Sequence, residues 1–215
     1  MKKMITVLVL ALMVQVSFAQ EEKVIKEESK SDMQTIFTKE NLKVTGGYIA
    51  PELKMGYVHE DASLLLGAKL GMTFNNKFTL GVAGYGLTNN SNFDINRTGT
   101  PESARIGMGY GGLALEYTLF SDKKIHFSIP VVVGVAGIYV YEDDGDYFNS
   151  TYDEIENSAA LVVEPGINIE LNLFKFFRID LGASYRLVSQ TDLVYLQDED
   201  LSDLTINATF KFGFF

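Results

Sequence analysis

The chain has 215 residues, 47% of them hydrophobic, with 28 acidic against 18 basic side chains, no cysteine and no tryptophan. A formal net charge of −10 argues against nucleic acid as a partner, and the missing cysteine excludes disulfides, thiolate metal sites and a lipidated cysteine anchor. The length suits one domain, held by burial and hydrogen bonding alone.

Lys2 and Lys3, an apolar run from Met4 to Val14, and Ser17-Phe18-Ala19 before Gln20 make up a secretory signal peptide over 1–19, with cleavage expected after Ala19. Losing the two lysines takes the formal charge to −12, and that excess lies in two stretches. Seven acids and no base fall between Glu142 and Glu156, and five acids and no base between Asp192 and Asp203. Residues 20–43 hold six acids and five lysines without strand alternation, which predicts a periplasmic linker or a short helix capped by Ser31 and Gln34.

From Thr45 onward the period is two. About eight strands are predicted, over 45–58, 62–74, 77–88, 105–120, 125–141, 158–173, 177–188 and 203–215. These lengths suit a tilted membrane crossing of ~9 to 11 residues, whereas no later apolar run reaches the ~20 that a spanning helix needs. Connections at Asn75-Asn76, 121–124 and 174–176 are short. Those at 89–104, 142–157 and 189–202 are long, and His59-Glu60-Asp61 is short. Asn75-Asn76 suits the positive φ of a two-residue hairpin.

The last stretch alternates most regularly. Leu204, Ile206, Ala208, Phe210, Phe212 and Phe214 fall on one face and Thr205, Asn207, Thr209, Lys211 and Gly213 on the other, with Phe215 out of phase. Read in phase, the polar face of the strands carries Glu52, Lys54, Lys69, Glu116, Glu164, Glu170, Arg178, Asp180, Arg186 and Lys211, five acids and five bases. Gly67, Gly71, Ala114, Gly134, Ala136, Gly166, Gly182, Ser184 and Gly213 are interleaved with them. Small residues weaken a strand, but a narrow lumen needs them, so this face is expected to point inward and its charges to pair across the bore. Arg178 and Arg186 are expected against Glu164 and Glu170 on the preceding strand. Pro51, Pro130 and Pro165 each predict a bulge or strand end, as does Gly111-Gly112, where the spacing of small residues changes parity. Eleven of the 15 Phe residues cluster at the short-turn ends, while Tyr57, Tyr85, Tyr110, Tyr139, Tyr141 and Tyr185 mark the opposite ends, as two interfacial belts require.

The strand that closes the chain in aromatics resembles the C-terminal strand of outer-membrane barrels. That resemblance implies that Phe210, Phe212, Phe214 and Phe215 are read by barrel-assembly machinery. From about Thr45 to Phe215 the chain looks like a small outer-membrane β-barrel of the OmpA or OmpX type, and Gly81-Val82-Ala83-Gly84-Tyr85-Gly86 and Val163-Glu164-Pro165-Gly166-Ile167-Asn168 also look like a little-characterised group of such barrels. The expected architecture is therefore all-β: an antiparallel up-and-down transmembrane barrel over 44–215, in the outer membrane of a Gram-negative bacterium and in contact with its lipid.

Chemistry is sparse. Barrel hydrolases resemble each other in placing His with Ser, Asp or Glu at the external rim, and only His59, beside Glu60, Asp61 and Ser63, sits there; a solvated turn accounts for it. His126 follows a short turn at the other end. Glu142-Asp143-Asp144-Gly145-Asp146 offers carboxylates to a hard cation but lacks the order of a calcium loop. No catalytic, cofactor or metal residue is assigned. The expected role is structural or surface interaction through the acidic loops 142–157 and 189–202, with the lumen plugged by paired charges; the alternatives are a narrow porin-like channel and, behind it, a barrel hydrolase.

Overall fold

Strands alternating apolar with small or charged residues satisfy their backbone in a membrane only by closing on themselves, because an open sheet would leave two edges unpaired. The computed structural model describes residues 42–59, 61–89, 91–96, 101–142 and 154–215. The expected signal peptide, the linker as far as Asn41, and the acidic stretch 143–153 lie outside the described residues. Among the described residues nine strands form: β1 (Val44–Val58), β2 (Asp61–Phe74), β3 (Phe78–Leu87), β4 (Ser91–Asn96), β5 (Pro101–Leu119), β6 (Ile125–Glu142), β7 (Glu154–Phe174), β8 (Phe177–Ser189) and β9 (Asp203–Phe214). A four-residue helix, α1 (Asp198–Leu201), precedes β9. Eight strands close a ring in the order β1-β2-β3-β5-β6-β7-β8-β9, with β9 returning to β1 and every pairing antiparallel.

The ninth strand was not expected. Residues 89–104 read as a loop, but β4 pairs with the start of β5, from Ser91↔Ile106 to Asn96↔Pro101. It continues the line of β3 above the ring after an interruption at Thr88 and Asn89. There the Asn89 side chain stands in for a ladder partner, accepting from Leu64 N at 2.6 Å and donating to Ala62 O at 2.7 Å. The short turns behave as their residues dictate. Asn75 and Asn76 take φ of 53° and 57°, and Lys77 N donates to Phe74 O at 3.0 Å.

Two expectations about irregularity are corrected. Gly111-Gly112 is not a bulge: β5 keeps unbroken register with β3 and β6 through it, and even-numbered residues from Ala104 to Thr118 face inward throughout. Gly107, Gly109 and Gly111 are outward-facing glycines, so the apparent change of parity was glycine occurring on both faces. Nor do the prolines bend or end their strands. Ladder pairs are missing between Ile49 and Glu52 toward β9, between Ser128 and Val131 toward β7, and between Val163 and Gly166 toward β8, yet the register resumes unchanged each time. A missing N–H on one side is tolerated here without an extra residue. The irregularities that do occur, at Val44/Gly46, Val140/Tyr141 and Asn172/Phe174, sit at strand ends.

Outward positions of the ring hold no charged side chain from Gly47 to Tyr57, Ala62 to Phe74, Phe78 to Gly86, Gly107 to Leu119, Ile125 to Tyr141, Ala159 to Leu173, Phe177 to Leu187 and Leu204 to Phe214. Leu70, Val82, Leu113, Val135, Ile167, Leu181 and Ile206 among them stand exposed. So continuous an apolar girdle suits hydrocarbon and not water. Tyr57, Tyr139 and Tyr185 are exposed at its long-loop edge, but Tyr85 and Tyr110 are buried inside the ring and leave the expected belt.

Backbones approach closely where Gly112 pairs with Gly134 on the inward face. A Cβ on Gly134 would lie 2.7 Å from the Gly112 Cα, and one on Gly112 would lie 2.5 Å from the Gly134 Cα. Gly134→Val is therefore expected to force β5 and β6 apart and to cost ~1–3 kcal/mol, read as an earlier midpoint in urea unfolding followed by circular dichroism in detergent. An unchanged midpoint would show that the ring can widen there freely.

Candidate functional site

Inward side chains sort into a polar layer toward the short turns and an apolar layer toward the long loops. The polar layer is built around Lys211 on β9, whose Nζ lies 2.8 Å from Glu116 Oε1, 2.6 Å from Glu170 Oε2 and 2.8 Å from Asp180 Oδ2. These three acids come from β5, β7 and β8, so one ammonium ties four strands together. Glu170 also receives Arg178 Nη1 at 2.7 Å and faces His126 Nε2 at 2.8 Å. Phe215, out of phase in sequence, turns in to place its ring 3.8 Å from the Arg178 guanidinium and 6.2 Å from the Tyr48 ring.

A second cluster lies one step higher. Lys54 Nζ is 2.6 Å from Glu164 Oε1, and Lys69 Nζ is 2.7 Å from Glu52 Oε2. Tyr110 donates to Glu164 Oε2 at 2.6 Å, Tyr85 donates to Glu52 Oε2 at 3.0 Å, and Ser184 donates to Glu164 Oε1 at 2.5 Å. The Lys54 ammonium also sits 3.8 Å from the Tyr85 ring centroid. Nine of the ten inward charges predicted from the sequence thus meet an opposite charge. Among the described residues Arg186 does not: it is fully buried, and its Nε and Nη2 donate to the carbonyls of Leu201 at 2.8 Å and Tyr57 at 2.9 Å instead of to Glu164 or Glu170. Height separates Arg186 from Glu170, which lies near the short turns opposite Asp180, whereas Glu164 is level with Arg186 in the β7–β8 register but has its oxygens taken by Lys54, Tyr110 and Ser184.

Sequence reasoning missed His126, Tyr48, Tyr85 and Tyr110 as members of this interior. With no bulge at Gly111-Gly112 the parity that assigns Glu116 inward assigns Tyr110 as well, and the parity of Glu52 assigns Tyr48; for Tyr110 the expected bulge and the expected aromatic belt both pointed the other way.

Above Arg186 the interior turns apolar. Val58, Leu65, Ile106, Met108, Ile138, Val140 and Val162 meet Phe93 and Ile95 of β4 and are covered by Leu196 and Leu201 from the segment that carries α1. Acids of β7 and of that segment act as acceptors here. Glu156 takes the amides of Val194 at 2.8 Å and Tyr195 at 3.2 Å, and Asp200 and Gln197 cap α1 reciprocally. His59, at φ 48°, donates its amide to Asp200 O at 2.7 Å and holds Nδ1 3.3 Å from Asp200 Oδ1. Ser63 points into the ring on β2, and Asp61 accepts from Asn92 N at 3.1 Å, so these residues brace the cap. Among the described residues no group of three or more His, Asp or Glu is placed to hold a metal ion. Asp143, Asp144 and Asp146 lie outside the described residues.

No protein-family model matches the chain, and no curated protein matches it in sequence. Solved structures do match its fold. Neisserial surface protein A aligns with a TM-score of 0.52 at 11% identity, covering 78% of this chain and 95% of that one. Ail, the attachment invasion locus protein of Yersinia pestis, in complex with the heparin analogue sucrose octasulfate, aligns at 0.49 and 13% identity over 79% and 98%. The N-terminal β-barrel domain of Pseudomonas aeruginosa OprF aligns at 0.47 and 9% identity over 80% and 98%. Ring closure, a charge-free girdle and this likeness define a small eight-stranded β-barrel of the outer-membrane type.

Two predictions come from the two layers. Lys211→Met leaves three buried carboxylates around an apolar group and is expected to lower stability by ~3–5 kcal/mol, whereas Lys123→Met, in a solvated pair with Asp122, leaves the unfolding midpoint where it was. In the cap, Thr191 Oγ1 and the amides of Thr191 and Gln190 donate to Asp198 and hold its carboxyl below the usual aspartate range. A depressed folded value means that this contribution is present above the unfolded pKa of ~3.9 and is lost as pH falls through the folded one. The Gln190 and Thr191 amide resonances should therefore shift together on acidification below about pH 4 and stay flat in Asp198→Asn.

Proposed function

We propose that the chain is an integral outer-membrane barrel of a Gram-negative bacterium that passes no solute and works from its long-loop face, in a structural or surface-interaction role. What supports this reading is the pair of layers inside the ring. Lys211 and its carboxylates fill one level, and the apolar cluster under Leu196 and Leu201 fills another. Water and ions crossing the ring would have to separate buried ion pairs and then enter a packed apolar core, and each step is costly on its own. Phe210, Phe212, Phe214 and Phe215 serve as the signal to assembly machinery in this reading, since Phe212 and Phe214 stand on the exposed face of β9. No catalytic role is assigned, because the two histidines are each occupied in bracing the fold.

A narrow channel is the second reading, favoured by a polar cavity of ≈ 150 Å³ at the short-turn end, lined by Thr45, Thr73, Thr79, Thr118, Ser121 and the Lys211 cluster. In the closed-bore reading this cavity is a blind vestibule. The purified protein in a planar bilayer should accordingly show no steady conductance, and Val140→Gly, which thins the apolar layer alone, should stay silent because the Lys211 level still blocks the bore. Reproducible single-channel steps in the unaltered protein would overturn the closed-bore reading in favour of the channel.

A further inference from the structure

The segment over the long-loop end buries Leu196 and Leu201 but leaves Val194 82% exposed, outside the apolar girdle. Exposure here is imposed. Glu156 holds the Val194 and Tyr195 amides, the Asp192 amide donates to Ser158 Oγ at 2.9 Å, and Asp198 fastens residues 190 and 191. An aliphatic side chain pinned into water from both sides has already lost its backbone freedom, and that ordering is one part of what binding normally costs. The segment that carries it has one sign: from Ser189 to Asp203 the chain holds five acids and no base, and Glu154 and Glu156 begin the strand alongside, with Arg105 of β5 two strands away. Phosphate-bearing surfaces are repelled by such a rim, whereas lysine and arginine are drawn to it.

From this we propose that Val194 is the anchor of a docking surface for a cationic protein segment, one that presents an apolar contact flanked by Lys or Arg. The proposal rests on the long-loop reading above and adds the chemistry of the partner. The anchor supplies the desolvated centre of the contact, and the acids supply the rim and the salt dependence.

The probe is a fluorescent synthetic peptide of lysines with leucines at helical spacing, paired with a control in which serine replaces every leucine at the same charge. Anisotropy is measured on the full chain in phosphatidylcholine nanodiscs, with empty discs subtracted. The expected result is saturable binding of the Lys/Leu peptide that weakens with added salt, falls about tenfold in Val194→Ser and is kept in Val194→Ile. Each variant is checked for unaltered gel mobility before and after boiling. Equal binding by Val194→Ser, equal binding of the Lys/Ser control, or no binding above empty discs would each overturn the anchor. Those outcomes leave the closed bore untouched, because conductance in a planar bilayer tests it separately.

Discussion

Three carboxylates on one ammonium is the arrangement on which the rest of this barrel depends. Lys211 has three protons to donate and finds an oxygen of Glu116, Glu170 and Asp180 within 2.8 Å, each from a different strand. Such a cluster is poor at stabilising a fold outright, because desolvation cancels much of its Coulombic gain, but it is costly to break. It therefore acts on register more than on net stability. A two-residue slip of β9 keeps every side chain on its correct face and yet moves Lys211 by ~7 Å along the barrel, so its contacts to carboxylates on three different strands are not all kept. Alternation alone leaves such slips open, and the cluster closes them.

The two interior layers make different demands on the strands around them. Charged side chains are long, so the polar layer needs glycine and serine opposite them. Gly71 leaves room for Tyr48, and Ser184 is at once small and a donor to Glu164. The apolar layer needs bulk, and β6 supplies it with Ala136, Ile138 and Val140 facing in and Val133 and Val135 facing out. That explains why β6 looks apolar on both faces. Its inward side lines a dry core while its outward side faces hydrocarbon, so only the lower part of the strand needs polar groups.

Most of the ring was legible in the sequence because its two faces face such different media. Eight strand spans, three short turns and all ten inward charges follow from parity, and parity survives local errors in where a strand begins. What parity does not carry is height along the barrel, which depends on the stagger between neighbours. Nor does parity say which of several groups claims an acid: Glu164 lies level with Arg186, yet Lys54, Tyr110 and Ser184 occupy it, so Arg186 stands on the expected face with other partners. Elements above the ring were harder still. Ser91 to Asn96 offers only six residues, and its pairing with β5 is fixed by Phe93 and Ile95 entering a core that exists only once the ring has closed. Tyr85 and Tyr110 show the opposite failure, where a general preference of tyrosine for interfaces competed with the specific parity of their strands and should have yielded to it.

Acidity at the long-loop end is also less of a surface property than the charge count suggests. Of the acids in the described loop, Asp198 is consumed by residues 190 and 191, Asp200 by α1 and His59, and Asp203 by the Tyr57 amide at 2.6 Å, while Glu156 of β7 holds two amides. A carboxylate that accepts backbone N–H groups does the work of a missing strand partner, and it does so without adding a residue to the ladder. Four acids used in this way give a segment without long strands the order of a packed element. The same charges still project a negative field beyond the loop, because accepting a hydrogen bond redistributes charge without neutralising it. Rigidity and electrostatic sign at this face therefore come from the same side chains, and a substitution such as Asp200→Asn removes part of both at once.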